Sequence, residues 1–363
     1  MPNNHHVCLI DSLRGLGGAE LWFLDAARGL RERGVRTTLV VQPHSALATR
    51  AAEMGQDHRT VSIRFDGAPW TLSKLVRLFR AERATALVCN LTKDLKAAGT
   101  AGLIAGVPVR LASRESDFPL KSKGYYRWYF RRAATGVLVN SEATRRTVLA
   151  SAPWLDPSRV HLLYKGIDLG RFAPRPDHAP DPGPVVGFAG QLIERKGIEA
   201  LMAAWSRLEA EEWSTPPRLV LVGDGPLRDR LLTWRAALRR PDHVEVRGFT
   251  DDVPALWRAC RCAVLPSRAE GFGLAAAEAA ACGLPVVATR TSSLPELVED
   301  GRTGLLVAVD EPAALAAALG DLLRDPARCR TLGEAGRALV ADRFDHQRTL
   351  DRLQALVCPE ESS

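Results

Sequence analysis

The sequence has no long hydrophobic run and no segment typical of a secretory leader. No stretch approaches the roughly 18 consecutive apolar residues that a membrane-spanning helix needs, and residues 1–6 lack a basic segment followed by an apolar one. We therefore expect a cytoplasmic protein. Attachment to the inner face of the cytoplasmic membrane stays open as an alternative.

The cysteines also show no spacing that indicates disulfide pairing. The seven cysteines are odd in number and scattered along the chain, which favours reduced thiols over a disulfide framework. Cys260 and Cys262 are too close for the usual zinc spacing, and no second His or Cys pair completes a site. The sequence therefore predicts no metal site.

Charge is only moderately unbalanced. The 363 residues carry 49 Lys+Arg and 42 Asp+Glu, a net charge of +7, and no long Lys/Arg tract is present. The balance favours an anionic small partner such as a nucleotide diphosphate, and we expect no nucleic-acid partner. With 46% hydrophobic residues, a chain of this length is sufficient for about two globular domains.

Apolar strands alternate with helices in both halves of the chain. A first strand, 7–12, is followed by a glycine loop and a helix from about 19 to 33. This alternation predicts doubly wound parallel sheets. The other predicted strands are 37–42, 85–90, 107–112, 136–140 and 160–164 in the first half, and 185–189, 219–222, 244–246, 262–265, 285–289 and 304–307 in the second.

A Pro-rich segment, 173–184, separates the halves and is typical of a linker. We therefore predict an N-terminal Rossmann-like domain at 1–172 and a C-terminal Rossmann-like domain at 185–345. The apolar spacing of 347–357 predicts a last helix. We expect the segment 346–363 to pack back on the N-terminal domain.

The most informative motif follows the strand that ends at Leu265. A short loop presents Glu270, and Gly271, Phe272 and Gly273 open a helix whose unpaired N–H groups suit a diphosphate. Glu278 lies further along that helix, where a carboxylate can accept hydrogen bonds from a ribose diol. An ordinary Ala-rich core helix is the alternative interpretation.

This motif, continued by the sequence Cys-Gly-Leu-Pro-Val-Val-Ala-Thr at 282–289, closely resembles the retaining glycosyltransferases of family 4. The resemblance implies the GT-B architecture, in which two Rossmann-like doubly wound domains face each other across a cleft. It also implies a nucleotide-diphosphate sugar as co-substrate, with no metal or other cofactor. Glu270 would then hold hydroxyls of the donor sugar.

Further segments of the second half resemble the same family. The segment 188–197 contains Gly190, Arg195 and Lys196, and the resemblance implies that the two cations bind the donor diphosphate and act in catalysis with Glu270. Two solvated charges at a turn are the alternative. The remaining donor-binding residues implied by the resemblance are Gly223, Gly225, Gly248, Phe249 and Leu274, and simple strand-to-loop turns are the alternative for the loops at 222–226 and 246–249.

The first half matches the family in part. Gly17 and Gly18 resemble its loop near the donor phosphate or the acceptor. Many members carry a His after the strand at 107–112, where this chain has Ser-Arg-Glu-Ser-Asp at 113–117. We assign Arg114 of that predicted loop to the donor or acceptor side, with a surface loop of paired charges as the alternative. Lys165 stands where the family usually has Asn.

The sequence thus predicts a retaining transferase that moves a hexose from a nucleotide-diphosphate sugar. We expect a glycan, lipid-linked or small-molecule acceptor, in bacterial envelope, lipopolysaccharide or other polysaccharide biosynthesis. The basic and aromatic segment Lys121–Arg132 suggests peripheral membrane contact, although its rings could equally pack inward. A nucleotide-sugar-binding protein without turnover and another GT-B enzyme, such as a nucleotide-sugar epimerase, are the alternatives.

Overall fold

The computed structural model describes residues 5–15, 17–63, 68–121, 123–176 and 183–359. The chain divides into two units. The first unit contains residues 1–165 together with 347–363, and the second contains residues 166–346. The first unit ends at Lys165 rather than at residue 172, and half of the segment predicted as a linker, namely 177–182, lies outside the described residues.

The first unit is built on a parallel sheet with the order β3-β2-β1-β4-β5-β6-β7. Its strands are β1 (His6–Asp11), β2 (Arg36–Val41), β3 (His58–Thr60), β4 (Ala86–Cys89), β5 (Val109–Arg114), β6 (Gly136–Val139) and β7 (Val160–Leu162). The connecting helices are α1 (Gly18–Glu32), α2 (Ala46–Glu53), α3 (Pro69–Ala81), α4 (Thr92–Asp94), α5 (Thr100–Ala105), α6 (Gly124–Trp128) and α7 (Glu142–Ser151). The turns Leu95–Gly99 and Tyr129–Ala133 are π-helical.

The second unit repeats the plan with the order β10-β9-β8-β11-β12-β13, again all parallel. Its strands are β8 (Val185–Ala189), β9 (Arg218–Val222), β10 (Val244–Arg247), β11 (Cys262–Leu265), β12 (Val286–Thr289) and β13 (Gly304–Val307). Its helices are α8 (Ile198–Leu208), α9 (Arg228–Ala236), α10 (Val253–Arg258), α11 (Leu274–Ala281), α12 (Leu294–Leu297), α13 (Pro312–Arg324) and α14 (Pro326–Arg343).

Helix α15 (His346–Val357) lies in the first unit from residue 347 onward, although it follows the second unit along the chain. Leu353 and Val357 are buried in the core beneath α1, and Gly29 leaves room for Leu350, because a Cβ at Gly29 would lie 2.4 Å from a Leu350 methyl. The two chain segments that join the units run side by side. Ile167 donates its N–H to the Phe344 carbonyl at 2.8 Å and forms a parallel bridge with Asp345.

Both sheets are covered on their two faces, and this explains their composition. The central strands β1, β4, β11 and β12 are buried along their whole length, so they consist mainly of continuous apolar runs. The predicted fold class, two doubly wound parallel sheets, is confirmed. Among the described residues, no helix is long and apolar enough to cross a membrane.

The elements that were not predicted include one strand and two helices of particular note. Strand β3 has three largely exposed residues at the sheet edge, and α12 has only four residues. Helix α14 has 18 residues, but its charged and apolar positions do not separate into faces, so its sequence has no clear helical period.

The prediction that Arg114 lies in a loop is wrong. Strand β5 runs two residues beyond the predicted end at 112, because Ser113 and Arg114 continue the pairing with Leu138 and Val139 of β6.

Helix α14 packs closely on the turn that follows α11, and one glycine makes this possible. A Cβ at Gly333 would lie 1.9 Å from the backbone oxygen of Gly283, which is much closer than atoms can approach. A Cβ at Gly336, one turn later on the same helix, would approach the Thr303 carbonyl oxygen only to 3.4 Å, an ordinary van der Waals distance. The two glycines therefore lie on the same helix, but only Gly333 is in close contact with the backbone of another segment.

We expect Gly333→Ala to lower the free energy of unfolding by about 3 kcal/mol, because backbone atoms must move to admit the methyl group. Gly336→Ala should be neutral or should stabilise by up to about 1 kcal/mol, because alanine is the better helix former. Urea denaturation of both variants measures the difference. Equal effects would show that α14 does not depend on this contact.

Candidate functional site

The loop between β11 and α11 presents one buried carboxylate. Glu270 is 5% exposed, and its Oε1 accepts a hydrogen bond from the Ser267 hydroxyl at 2.8 Å. The Lys196 ammonium lies 2.5 Å from the same oxygen. Two donors thus converge on Oε1, and Glu270 makes no hydrogen bond through Oε2 within the described residues.

Lys196 belongs to a single 3-10 turn, Glu194–Lys196, that follows β8. Gly197 ends this turn with φ of 70°, and a Cβ there would lie 1.8 Å from the Pro266 carbonyl oxygen. The Arg268 N–H donates to the Arg195 carbonyl at 2.8 Å, and the Arg195 guanidinium donates to the Ala269 carbonyl at 3.4 Å. The turn and the Glu270 loop are therefore in direct backbone contact.

The position of this contact in the sheet has a functional consequence. Strands β8 and β11 are neighbours, but the chain leaves β8 toward β9 on one side and leaves β11 toward β12 on the other. Such a reversal leaves a crevice at the carboxyl ends of the strands, where open α/β sheets bind ligands. Arg195, Lys196 and Glu270 all lie at this reversal point.

Helix α11 begins at Leu274, with Gly273 as its N-cap. The Phe272 ring is buried with its centroid 5.5 Å from that of Phe344, and its carbonyl accepts from the Ser293 hydroxyl at 2.8 Å. Since the ring points into the interior, any contact of Phe272 with a ligand would fall to its backbone. Gly271 and Gly273 are buried, and Glu278 is half-buried in the second turn of the helix.

The other predicted glycines meet at the ends of β8, β9 and β10. A Cβ at Gly223, whose φ is 139°, would lie 1.9 Å from the Gly190 carbonyl oxygen, and the Gly223 N–H donates to the Gly248 carbonyl at 3.2 Å. Gly225 similarly approaches the Leu192 carbonyl. The structure brings these three loops together, and Phe249 beside them is exposed.

The remaining predicted residues belong to the first unit. Gly17 is the N-cap of α1 and Gly18 is its first residue, at the carboxyl end of β1. Arg114 donates to the Phe118 carbonyl at 2.8 Å, and burial lowers the pKa of its guanidinium. These residues therefore occupy the carboxyl edge of the other sheet.

A buried polar network at that edge was missed in the sequence. Strands β1 and β4 flank the order reversal of the first sheet, and Asn90 after β4 donates to Asp11 at 2.8 Å and to Glu20 at 3.5 Å. Asp94 accepts from the N–H groups of Leu91 and Ser12 at 3.0 and 3.3 Å. The sequence feature that could have indicated this network is Asp11, a carboxylate that ends an otherwise mainly apolar strand.

Lys165, which replaces the family's usual Asn, is buried in the same region. Its ammonium lies 2.7 Å from Glu115 and 3.5 Å from the centroid of the Trp22 ring. Burial lowers the pKa of Lys165, and the carboxylate and the ring compensate for the lost hydration. Across the described residues, no group of three or more His, Cys, Asp or Glu is arranged to hold a metal ion.

Comparison with known families matches both halves of the chain. The model described as Glycosyltransferase Family 4 matches residues 16–171, and the model described as Glycosyl transferases group 1 matches residues 183–325. A mannosyltransferase of Mycolicibacterium smegmatis, described as a GDP-mannose-dependent alpha-(1-6)-phosphatidylinositol monomannoside mannosyltransferase, is 31% identical over 94% of this chain and 87% of its own. The chain belongs to glycosyltransferase family 4.

Other relatives agree with this assignment. The alpha-maltose-1-phosphate synthase of the same organism is 32% identical over 73% of this chain and 76% of its own length. The crystal structure of Anabaena HepE in complex with UDP and glucose superposes with a TM-score of 0.82 at 22% identity, over 98% of this chain and 99% of the other. The two-domain GT-B fold and a nucleotide-sugar-dependent glycosyltransferase activity are therefore confirmed.

Asp94 provides a test of the buried network in the first unit. Burial raises its pKa to about 7, whereas the group in an unfolded chain titrates near 3.8. The folded protein thus binds one more proton between these values, so the stabilisation is complete below pH 4 and is lost as pH rises through 7.

We expect Asp94→Asn, which does not titrate, to remove this dependence. The difference in free energy of unfolding between wild type and variant should fall by up to about 3 kcal/mol from pH 5 to pH 8. Urea denaturation at several pH values measures it. Parallel pH profiles for the two proteins would contradict the proposed protonation of Asp94.

Proposed function

We propose that the chain is a retaining glycosyltransferase that moves a hexose from a nucleotide-diphosphate sugar to a glycan, lipid-linked or small-molecule acceptor. The proposed setting is bacterial envelope, lipopolysaccharide or other polysaccharide biosynthesis, on the cytoplasmic side. The observation that carries the proposal is the contact of Lys196 with Glu270 at the order reversal of the second sheet.

In this proposal Arg195 and Lys196 bind the donor diphosphate. Both cations lie in a turn whose backbone is in contact with the Glu270 loop, so their position relative to Glu270 is set by the fold. Two cations anchored in this turn stabilise the charge that develops on a departing diphosphate. We propose that they do this without a metal ion.

Glu270 would hold the donor sugar. Ser267 and Lys196 both bind Oε1, and Oε2 is then the oxygen that accepts hydrogen bonds from sugar hydroxyls. Glu278 would accept hydrogen bonds from the ribose. The nucleoside would contact Phe249 and the glycine loops that contain Gly190, Gly223, Gly225 and Gly248. The start of α11 would lie against the phosphates through Gly271, Gly273, Leu274 and the backbone of Phe272.

Retention follows if the acceptor attacks the face from which the nucleotide departs. The bond from the anomeric carbon to the diphosphate oxygen breaks through an oxocarbenium-like state, and the acceptor oxygen then bonds to the same face. The acceptor proton passes to the departing diphosphate oxygen, so no separate protein base is required. We propose that Gly17, Gly18 and Arg114 of the first unit contribute on the phosphate or acceptor side.

The donor can be identified by ligand-dependent stability. The Mycolicibacterium mannosyltransferase is described as GDP-mannose-dependent and the Anabaena structure contains UDP, so UDP, GDP, UDP-glucose and GDP-mannose are the first candidates. A ligand that binds only the folded state raises the unfolding temperature. Stabilisation without release of UDP or GDP from any sugar donor would favour a binding protein over an enzyme.

Glu270→Gln should lower kcat by about 100- to 1000-fold, since it removes the charged acceptor that holds the donor sugar. Stabilisation by free UDP or GDP should persist, because Glu270 is proposed to touch the sugar and not the diphosphate. Glu299→Gln is the control, as Glu299 pairs with Arg302 on the surface of the same unit. Full activity of Glu270→Gln would disprove the mechanism.

We also propose that the segment Lys121–Arg132 contacts an anionic membrane surface. Tyr126 and Tyr129 are partly buried and Phe130 is fully buried, as the inward-packing alternative expects. That alternative does not account for Tyr125 and Trp128, which are 51% and 45% exposed. They lie among exposed cations, namely Lys121, Lys123, Arg127, Arg131 and Arg132.

Rings beside exposed cations suit the boundary between anionic headgroups and acyl chains. A lipid-linked acceptor would then be presented at this surface, and the description of the Mycolicibacterium mannosyltransferase, which names a phosphatidylinositol mannoside, supports an acceptor of this class.

Trp128→Ser should lower binding to vesicles containing 30% phosphatidylglycerol by about 3- to 10-fold at low salt, because a ring is removed from the interface. Trp70→Ser is the matched control, since Trp70 is 72% exposed in the same unit but outside this basic segment. Co-sedimentation measures both variants. Equal losses, or no binding by the wild type, would contradict the membrane contact.

A further inference from the structure

We propose that Ser267 is a positioning residue that sets which oxygen of Glu270 faces the donor sugar. The inference rests on the proposed function of Glu270 and concerns a residue to which the family resemblance gave no role. Ser267 is 1% exposed, so it acts on a ligand only through Glu270.

The hydroxyl of Ser267 has one evident acceptor. It donates to Oε1 of Glu270 at 2.8 Å across a separation of three residues. A carboxylate bound through one oxygen cannot rotate freely about its terminal torsion without losing that bond. Oε2 is therefore held at a defined position relative to the loop backbone.

Ser267 is itself fixed by the neighbouring strand. The Thr289 hydroxyl at the end of β12 donates to the Ser267 carbonyl, and Thr291 donates to the Arg268 carbonyl at 3.2 Å. Strand β12 pairs with β11 up to Leu265 and Ala288, two residues before Ser267 and one residue before Thr289. The chain of contacts from sheet to carboxylate thus runs from Thr289 through the Ser267 backbone to its hydroxyl.

Lys196 binds the same oxygen but has a second proposed task. If its ammonium moves toward a bound diphosphate, its contact with Glu270 at 2.5 Å weakens. Ser267 carries no charge for a diphosphate to attract and is buried, so its hydrogen bond to Oε1 persists. Ser267 is then the group that holds the carboxylate while the donor is bound.

The two residues therefore differ in what their loss should change. Removal of Lys196 affects the diphosphate and the sugar together, whereas removal of the Ser267 hydroxyl affects only the placement of Glu270 on the sugar. This separation distinguishes a positioning role from a general weakening of the loop, which would impair nucleotide binding as well.

The experiment compares Ser267→Ala, Ser267→Thr and wild type. Titration with UDP or GDP, whichever stabilises the wild type, gives the Kd of the nucleotide. The rate at which that nucleotide is released from UDP-glucose or GDP-mannose, by transfer or by hydrolysis, gives kcat and KM. Ser267→Ala should lower kcat about 10- to 100-fold, the cost of a misplaced sugar contact. The nucleotide Kd should stay within about two-fold.

Ser267→Thr keeps the hydroxyl and should recover most of the lost kcat. Ser45→Ala is the stability control, because Ser45 is equally buried and the variant loses one hydrogen bond, which the Ser45 hydroxyl accepts from the Ala48 N–H at the start of α2 in the other unit. Its kcat should equal that of the wild type.

An unchanged kcat in Ser267→Ala, or a loss of kcat matched by an equal loss of nucleotide affinity, would overturn the inference. Failure of the proposed function has a different outcome, in which the wild type itself releases neither UDP nor GDP from any sugar donor. If Ser267→Thr fails to fold, the split between kcat and Kd in Ser267→Ala decides alone.

Discussion

The backbone contact between Gly197 and the Pro266 carbonyl is the constraint on which the candidate site depends. The absence of a side chain at residue 197 lets the turn after β8 touch the loop after β11, and only then can Lys196 reach Glu270. A Cβ at this position would separate the two loops by the width of a methyl group. The chemistry of the site therefore depends on a residue that has no functional group of its own.

The same principle operates in the neighbouring loops. Gly223 lies against the Gly190 carbonyl and Gly225 against that of Leu192, so three loops at the carboxyl ends of β8, β9 and β10 pack backbone to backbone. Glycines in these motifs thus have a structural reason to be present whether or not they touch a nucleotide. A surface made of backbone amides also suits recognition of a phosphate or a base edge, since it presents donors in fixed directions.

The sequence was most informative where strands are buried on both faces, as in β8 and β11, because continuous apolar runs leave little ambiguity. It failed at α14, whose mixed faces have no clear period, and at the end of β5, where Arg114 continues a strand that its charge did not suggest. The link between Glu270 and Ser267 is only three residues long, yet it depends on a side-chain rotation that no motif specifies. The network of Asp11, Asn90 and Asp94 joins residues about 80 positions apart along the chain. These residues meet only because of the order of the strands in the sheet, which no local sequence pattern specifies.

The first unit is interrupted by the second. The chain leaves it at Lys165, whose side chain is buried against Trp22 and Glu115, and returns at residue 347, one residue after α15 begins. During synthesis on the ribosome the inserted unit is therefore complete before its host. The cavity that Gly29 provides for Leu350 stays exposed until the last helix emerges. In this chain the domain that begins first is the last to be fully synthesised, so the usual N-terminal-first order of folding cannot apply to its final helix.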